Sequence, residues 1–293
     1  MDFSDIKTVG FIGLGIMGQS MAGHILAGGY QLHVYNRSRA KAEQLIARGA
    51  TWHDQPGEIA AVCDVVITMV GFPQDVEDIY LAPDGLVARA RPGTVLIDMT
   101  TSSPSLAQRI AAAGAAKGVA VLDAPVSGGD VGARNAKLSI MIGGAEPAVE
   151  HVRKLLALMG ENVVRQGAAG AGQHTKMANQ ITIASNMMAV CESLAYAKKA
   201  GLDPKVVLKS IGAGAAASFA LNNLGPRMLD GDFAPGFYVR HFIKDMGIAL
   251  AEAETLGLAL PGLTQAKALY DRLAAAGHDD EGTQALFRLY AGA

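Results

Sequence analysis

Cysteine is scarce in this 293-residue chain: only Cys63 and Cys191 occur, and neither has metal-ligand spacing. A thiolate-built metal site is thereby excluded, and both residues read as buried free thiols, one just before an apolar strand and one inside a long helix. Charge of one sign is lacking too, with 25 Lys and Arg against 27 Asp and Glu, a net charge of -2 and no basic run. A general attraction to nucleic acid or to anionic lipid is excluded on that balance, which leaves small molecules and other copies of the chain as expected partners. No charge-free apolar run is long enough to span a bilayer. The chain opens with a strand and a glycine-rich turn rather than a basic, apolar, small-residue signal, so a cytoplasmic protein is expected. What the chain does have is apolar surface: half of its residues are hydrophobic, enough for two domains with ordinary cores.

Short β-branched runs alternate with helical patterns through the first half, at Thr8 to Ile12, Leu32 to Tyr35, Val65 to Val70, Val95 to Asp98, Val119 to Asp123, Leu138 to Ile142 and Val163 to Arg165. Between them the spacing predicts helices at 16–28, 38–48, 74–80, 104–117 and 146–158, the fourth opened by Ser103-Pro104 as cap and first turn. Such alternation predicts a doubly wound, mainly parallel α/β sheet of Rossmann type. Past Gly167 the pattern becomes helical throughout, at 172–199, 203–212, 243–257 and 261–276, with no strand run. We therefore expect an α/β domain over residues 1–168 and an all-helical domain over 169–293. No poly-Gly/Ser or charged linker separates them, so the long helix is expected to lead from one to the other, with the ligand in the cleft between.

Gly13-Leu14-Gly15-Ile16-Met17-Gly18 follows the first strand and opens the first helix, as a G-x-G-x-x-G dinucleotide loop requires. Gly13 permits the tight turn, Gly15 lets a pyrophosphate approach the backbone, and Gly18 lets helix and strand sit close, with the anion at the helix N-terminus. The second strand ends in Asn36-Arg37-Ser38, where an NAD-specific site places Asp or Glu. Without that carboxylate, and with a guanidinium available to a 2′-phosphate, NADP(H) is favoured over NAD(H). The other reading of Arg37 is a solvated or adenine-stacking side chain in an enzyme that accepts both.

Ser127-Gly128-Gly129, after the strand ending at Asp123, offers convergent O–H and N–H donors that suit a carboxylate, although Ser-Gly-Gly is also ordinary turn chemistry. Lys176 enters an apolar helix near its start, with Asn179 and Gln180 three and four residues on along the same face. A lysine there either snorkels to solvent or serves chemistry, because an unpaired buried ammonium is costly. A dry pocket would lower its pKa and fit it to exchange a proton with an alkoxide. His174, the rival acid or base, lies two residues away and points to a different face.

With these segments in view, the sequence resembles the β-hydroxyacid dehydrogenase family, which includes 3-hydroxyisobutyrate dehydrogenase, tartronate semialdehyde reductase and the glyoxylate/succinic semialdehyde reductases. The resemblance covers nearly the whole chain and is carried by Phe11 to Ala22, by Asp123-Ala-Pro-Val-Ser-Gly-Gly129, by Gly170 to Gln180 and by Phe237 to Asp245. It implies that Ser127, Gly128 and Gly129 hold the substrate carboxylate, that Lys176 is the catalytic lysine, and that Asn179 is a substrate-orienting amide; Gln180, on the same helix face, is placed to orient the lysine or the substrate. It further implies Lys244 near the cofactor, Asp245 near the lysine site, Thr101 in contact with the cofactor, and Met69-Val70 beside the dinucleotide. Gln180 and His241 depart from commoner residues of the family, the former as in tartronate semialdehyde reductases. The family also implies a homodimer or homotetramer, with apolar surface of the long helix buried by another subunit. The expected activity is interconversion of a small β-hydroxy acid and its semialdehyde, with NADP(H) as cofactor and no metal. Two rivals are an imine reductase, which expects another donor in place of Lys176 and has no use for the anion loop, and a catalytically silent cofactor-sensing or interaction protein.

Overall fold

The computed structural model describes residue 3 and residues 5–290. Two compact units, Met1–Lys176 and Met177–Ala293, divide inside the long helix.

In the first unit a nine-stranded sheet is assembled from β1 (Thr8–Ile12), β2 (Gln31–Tyr35), β3 (Thr51–Trp52), β4 (Val65–Thr68), β5 (Val95–Asp98), β6 (Ala120–Asp123), β7 (Val126–Ser127), β8 (Ser139–Gly143) and β9 (Asn162–Gly167). The strand order is β3-β2-β1-β4-β5-β6-β8-β7, with β9 paired to β8. The first six strands run parallel; β8 is antiparallel to β6 and β7 and parallel to β9. The helices between them are α1 (Ile16–Ala27), α2 (Glu43–Ala47), α3 (Pro56–Val62), α4 (Pro73–Leu81), α5 (Leu86–Arg89), α6 (Pro104–Ala115), α7 (Gly129–Arg134) and α8 (Glu146–Leu156). The expected mainly parallel sheet is present, and its central strands are buried on both faces. Val65 and Ile67 of β4 join one apolar layer with Phe11, Met21 and Ile25, while Val66 joins the other with Ile59, Tyr80 and Ile110. That double burial is why these strands read as unbroken Val/Ile runs rather than as alternating ones.

Several short elements escaped the sequence patterns: β3, β7, α3, α5 and α7 are each seven residues or fewer. The segment expected as one helix at 38–48 is a 3₁₀ turn, Arg39–Ala42, followed by the five-residue α2.

The long helix is α9 (Ala171–Lys199), and it is followed by α10 (Pro204–Ile211), α11 (Gly225–Leu229), α12 (Val239–Thr255) and α13 (Pro261–Ala275). The second unit is helical as expected, its one described β-bridge being Tyr238 with Gly282. A π-helical turn at Ala220–Leu224 and a 3₁₀ segment at Thr283–Leu289 add to the expected set. Met177, Ala184, Met187, Cys191 and Leu194 lie on the buried side of α9 and pack with Phe242, Met246, Leu263 and Tyr270. This stripe recurs at helical spacing and is covered by its own unit. The inward stripe of α9 thus finds its partners within the chain. Both cysteines are buried free thiols, and burial pushes the Cys63 thiol up to about 12.

Candidate active site

The glycine loop is built by exclusion. Gly13 has a φ of 96°, and a Cβ there would run into the Met69 carbonyl oxygen. A Cβ on Gly18 would run into the Gly13 carbonyl oxygen, so the first turn of α1 fits only without a side chain. Gly15, by contrast, meets nothing within 4 Å and faces open space at the helix N-terminus. An empty volume bounded by backbone amides is what a pyrophosphate needs, so the loop fits a dinucleotide on its own geometry. Leu14 N donates to Asn36 Oδ1 at 2.9 Å, and Asn36 Nδ2 donates to Ser38 O at 2.9 Å. Asn36 thus braces the glycine loop against the end of β2, with both ends of its amide engaged. Arg37 has a side chain 83% exposed, with Nη1 3.4 Å from Asp75 Oδ1. Val70 N donates to Thr100 Oγ1 at 3.0 Å, which joins the loops after β4 and β5.

At the ends of β5 and β6 lies a polar cluster that sequence patterns did not single out. Asp98 and Asp123 are register partners on adjacent strands, both buried. Asp98 Oδ1 accepts from Thr68 Oγ1 at 2.8 Å and from Thr100 N at 3.0 Å, and Tyr80 OH lies 3.0 Å from the same threonine hydroxyl. Burial pushes its carboxyl up to about 6 against the pull of those hydrogen bonds, and the Asp123 charge adds to the rise. Asp123 receives the start of α9, with Gly170 N donating to Oδ1 at 2.7 Å and Gln173 N to Oδ2 at 2.8 Å. A carboxylate facing unpaired N–H groups at a helix start is favourable electrostatically, although burial still holds the Asp123 pKa above the usual range. The glycines of Gly170-Ala171-Gly172 have separate reasons to be there. Gly170 has a φ of 90°, and a Cβ on Gly172 would come within 2.6 Å of the Asp123 carbonyl oxygen. The visible signal was an Asp closing each of two apolar strands, Val95-Leu96-Ile97-Asp98 and Ala120-Val121-Leu122-Asp123.

One turn into α9, Lys176 is 7% exposed and donates from Nζ to Val126 O at 2.8 Å. The snorkelling alternative is therefore not the arrangement found: the ammonium turns inward to the strand that leads into the Ser127-Gly128-Gly129 loop. Gly128 and Gly129 have φ values of 127° and 62°, conformations open to glycine, and aim that backbone away from a regular strand. His174 lies on the exposed side of the same turn.

In the second unit, Asn179 Nδ2 donates to Gln180 Oε1 at 2.7 Å, and Gln180 Nε2 donates to Asp245 Oδ2 at 2.6 Å. Lys244 Nζ pairs with Asp245 Oδ1 at 2.9 Å, in a geometry outside that of a hydrogen bond. Gln180 is buried and engaged at both ends, so Asn179 is the amide of the two with accessible surface. The structure thus groups Lys176 with the Ser127 loop, and Asn179, Gln180, Lys244 and Asp245 with one another. A separate cavity of about 610 Å³ lined by Leu250, Glu254, Leu258 and Pro261 includes none of these residues. Among the described residues no cluster of His, Cys, Asp and Glu could hold a metal ion, and no helix is long and apolar enough to cross a membrane.

Comparison with known proteins places the chain in a family. Residues 8–167 match the NAD binding domain of 6-phosphogluconate dehydrogenase, and residues 170–290 match the NAD-binding domain of NADP-dependent 3-hydroxyisobutyrate dehydrogenase. An uncharacterized oxidoreductase of Bacillus subtilis is 56% identical over 97% of this chain and 99% of its own length. The probable 3-hydroxyisobutyrate dehydrogenase-like 1 of Arabidopsis thaliana is 52% identical over 97% of this chain and 86% of its own. The 2-hydroxy-3-oxopropionate reductase of Escherichia coli is 39% identical over 92% of both. Among solved structures, Mycobacterium tuberculosis 3-hydroxyisobutyrate dehydrogenase with L-serine superposes with a TM-score of 0.89 at 31% identity, over 98% of this chain and 99% of that one. Psf3 in complex with NADP+ and 2-OPP gives 0.89 at 28% identity, over 97% and 100%. An imine reductase from Pseudomonas sp., at 19% identity and a TM-score of 0.63 over 97% and 99%, shares the fold alone. The chain therefore belongs to the β-hydroxyacid dehydrogenase family and is an NAD(P)-dependent hydroxyacid dehydrogenase.

Proposed function

We propose that this protein is an NADP(H)-preferring enzyme that interconverts a small β-hydroxy acid and its semialdehyde, with Lys176 moving the proton. The observation that carries the reading is the buried Lys176 ammonium donating to Val126 O, one residue before the Ser127 hydroxyl. The nicotinamide cofactor supplies or accepts the hydride when bound. In the reducing direction Lys176 gives a proton to the carbonyl oxygen as it becomes an alkoxide, and in the oxidising direction it takes the proton of the substrate hydroxyl. The Ser127 hydroxyl and the Gly128 and Gly129 amides hold the carboxylate. Asn179 orients the substrate, Gln180 and Asp245 fix that amide from behind, and Lys244 serves the cofactor.

The NADP(H) preference is supported by the absence of a carboxylate among Asn36, Arg37 and Ser38 and by the exposure of the Arg37 guanidinium. Its pair with Asp75 is a surface contact worth about 1 kcal/mol or less, which a doubly charged 2′-phosphate can displace. Substrates of this class suit the relatives named for 3-hydroxyisobutyrate and 2-hydroxy-3-oxopropionate. A cytoplasmic homodimer or homotetramer completes the proposal.

Lys176→Met tests the proton role: kcat is expected to fall by about 10² to 10⁴ with cofactor binding retained, and near-normal turnover would remove Lys176 from the mechanism. Kinetics with NADPH and NADH before and after Arg37→Asp test the cofactor preference. A selectivity ratio that does not move would exclude Arg37 from it. Methylmalonate, tartronate and succinate semialdehydes, with glyoxylate, form the substrate panel. The first two differ by one substituent, methyl against hydroxyl, succinate semialdehyde has a longer chain and glyoxylate a shorter one; a one-methylene difference is expected to give selectivity of about 10- to 200-fold.

A further inference from the structure

Gln173 is fully buried, and every polar atom of its side chain is engaged. Nε2 donates to Thr100 O at 2.8 Å, and Oε1 accepts from Ser102 N at 2.9 Å. The two bonded groups flank Thr101, so the carboxamide grips this loop much as a neighbouring strand would, through one acceptor and one donor. The other connections of Gln173 lead elsewhere. Its main-chain N–H donates to Asp123 Oδ2, and it stands one turn before Lys176 on α9. The loop it grips is tied in turn to the β4 loop, through Val70 N and the Thr100 hydroxyl. One buried side chain therefore joins the segment carrying Met69, Val70 and Thr101 to the helix carrying the lysine. Hydride and proton move in one event only if both donors are registered to the same substrate atoms, and misplacement by about 1 Å can cost about a hundredfold in rate.

We propose that Gln173 is a positioning residue whose side-chain amide holds the Thr100–Ser102 loop in register with Lys176 and so registers the cofactor to the proton donor. It touches none of the reacting atoms. The inference rests on the assignment of Lys176 as proton donor, and Lys176→Met tests that assignment separately.

Two substitutions test it, each read by single-turnover oxidation of NADPH with the fastest of the four aldehydes, by cofactor affinity, and by hydrogen exchange of the Ser102 amide in the cofactor-free protein. Gln173→Leu removes both bonds, and a fall in the single-turnover rate of about tenfold to a hundredfold is expected, with faster Ser102 exchange. Gln173→Glu supplies a rescue. Protonated, the carboxyl donates to Thr100 O and accepts from Ser102 N as the amide does; ionised, it offers Thr100 O no donor. The titratable groups around it are Asp123, which accepts from its own N–H, Asp98, which accepts from Thr100 N, and Lys176 one turn on. Burial beside two carboxylates holds such a carboxyl protonated to higher pH than usual, and the lysine opposes this. The rate ratio of variant to wild type is expected to rise about tenfold or more as pH falls from about 9 to about 6. A ratio near one at every pH, with unchanged Ser102 exchange, overturns the proposal. A ratio that is depressed but flat also overturns it, since lost packing and not a lost donor would then be the cause. If Gln173→Leu does not fold, the pH series of Gln173→Glu decides alone. Should Lys176→Met keep its turnover while the Gln173 variants behave as expected, the lysine assignment fails and the loop-holding role stands.

Discussion

The glycine loop after β1 and the carboxylate cluster closing β5 and β6 lie at the C-terminal ends of parallel strands in one sheet and are built on opposite terms. At the loop the site is made by withholding side chains, so that backbone meets backbone at Gly13 and Gly18 and an open space remains at Gly15. At the cluster it is made by burying polar side chains, with Thr68, Asp98, Asp123 and Gln173 satisfying one another and the surrounding main chain. The difference teaches how each can fail. A site made by exclusion is lost through added atoms, whereas a site made by buried pairing is lost through changed protonation or a missing partner.

The sharpest break of the first kind is Gly18→Ala. Its methyl group would displace the Gly13 carbonyl, a backbone atom, and a loss of about 3 kcal/mol or more is expected in urea unfolding, together with loss of cofactor binding. A change below about 1 kcal/mol would mean that the turn yields more readily than its geometry implies.

The second kind is broken through Asp98. Its folded pKa of about 6 stands above the ordinary 3.8, so the folded state holds a proton more tightly than the unfolded chain does. The contribution of this group to stability is therefore complete below the unfolded pKa and is lost as pH rises through about 6. That loss is at most about 3 kcal/mol. The stability of Asp98→Asn relative to wild type should accordingly increase from about pH 4 to about pH 7, measured by paired urea titrations. A difference that is flat across that range would show that the pairing, and not the charge, dominates at this site.

Gly15→Ala is the mildest and the most discriminating of the three. Its backbone angles suit any residue and no protein atom lies near, so the melting temperature should hold. The methyl group would instead occupy the ligand's approach, and cofactor affinity should fall about tenfold, about 1.4 kcal/mol by calorimetry. Unchanged affinity would remove Gly15 from the proposed cradle.

What could be read from sequence follows the same division. Exclusion leaves a spaced pattern, and Gly13, Gly15 and Gly18 stood out because glycine after a strand is seldom dispensable. The parallel strands were legible because burial on both faces forces continuous Val and Ile. Gln173, by contrast, sits among ordinary helix residues, and its partners Thr100 and Ser102 are 73 and 71 positions away. Only the fold brings them together. Asn36 was legible by position, while its bracing of the glycine loop was not, since nothing in the sequence pairs it with Leu14 N. Among the elements that went unread, β3 and β7 at two residues each and the π-helical turn at Ala220–Leu224 are too short to carry a period and are set by their neighbours.

The anchoring of α9 at Asp123 has a consequence for tolerated changes in chain length. Gly170 N and Gln173 N are bound to the two oxygens of one carboxylate, which sets both the height and the rotation of the start of the helix. Each residue added or removed between Gly170 and Lys176 would rotate everything beyond it by about 100° and shift it by about 1.5 Å. The interval from Gly170 to Lys176 is thus an angular setting as much as a length. A single insertion there would swing the ammonium off the Val126 carbonyl and leave an intact helix aimed at the wrong place.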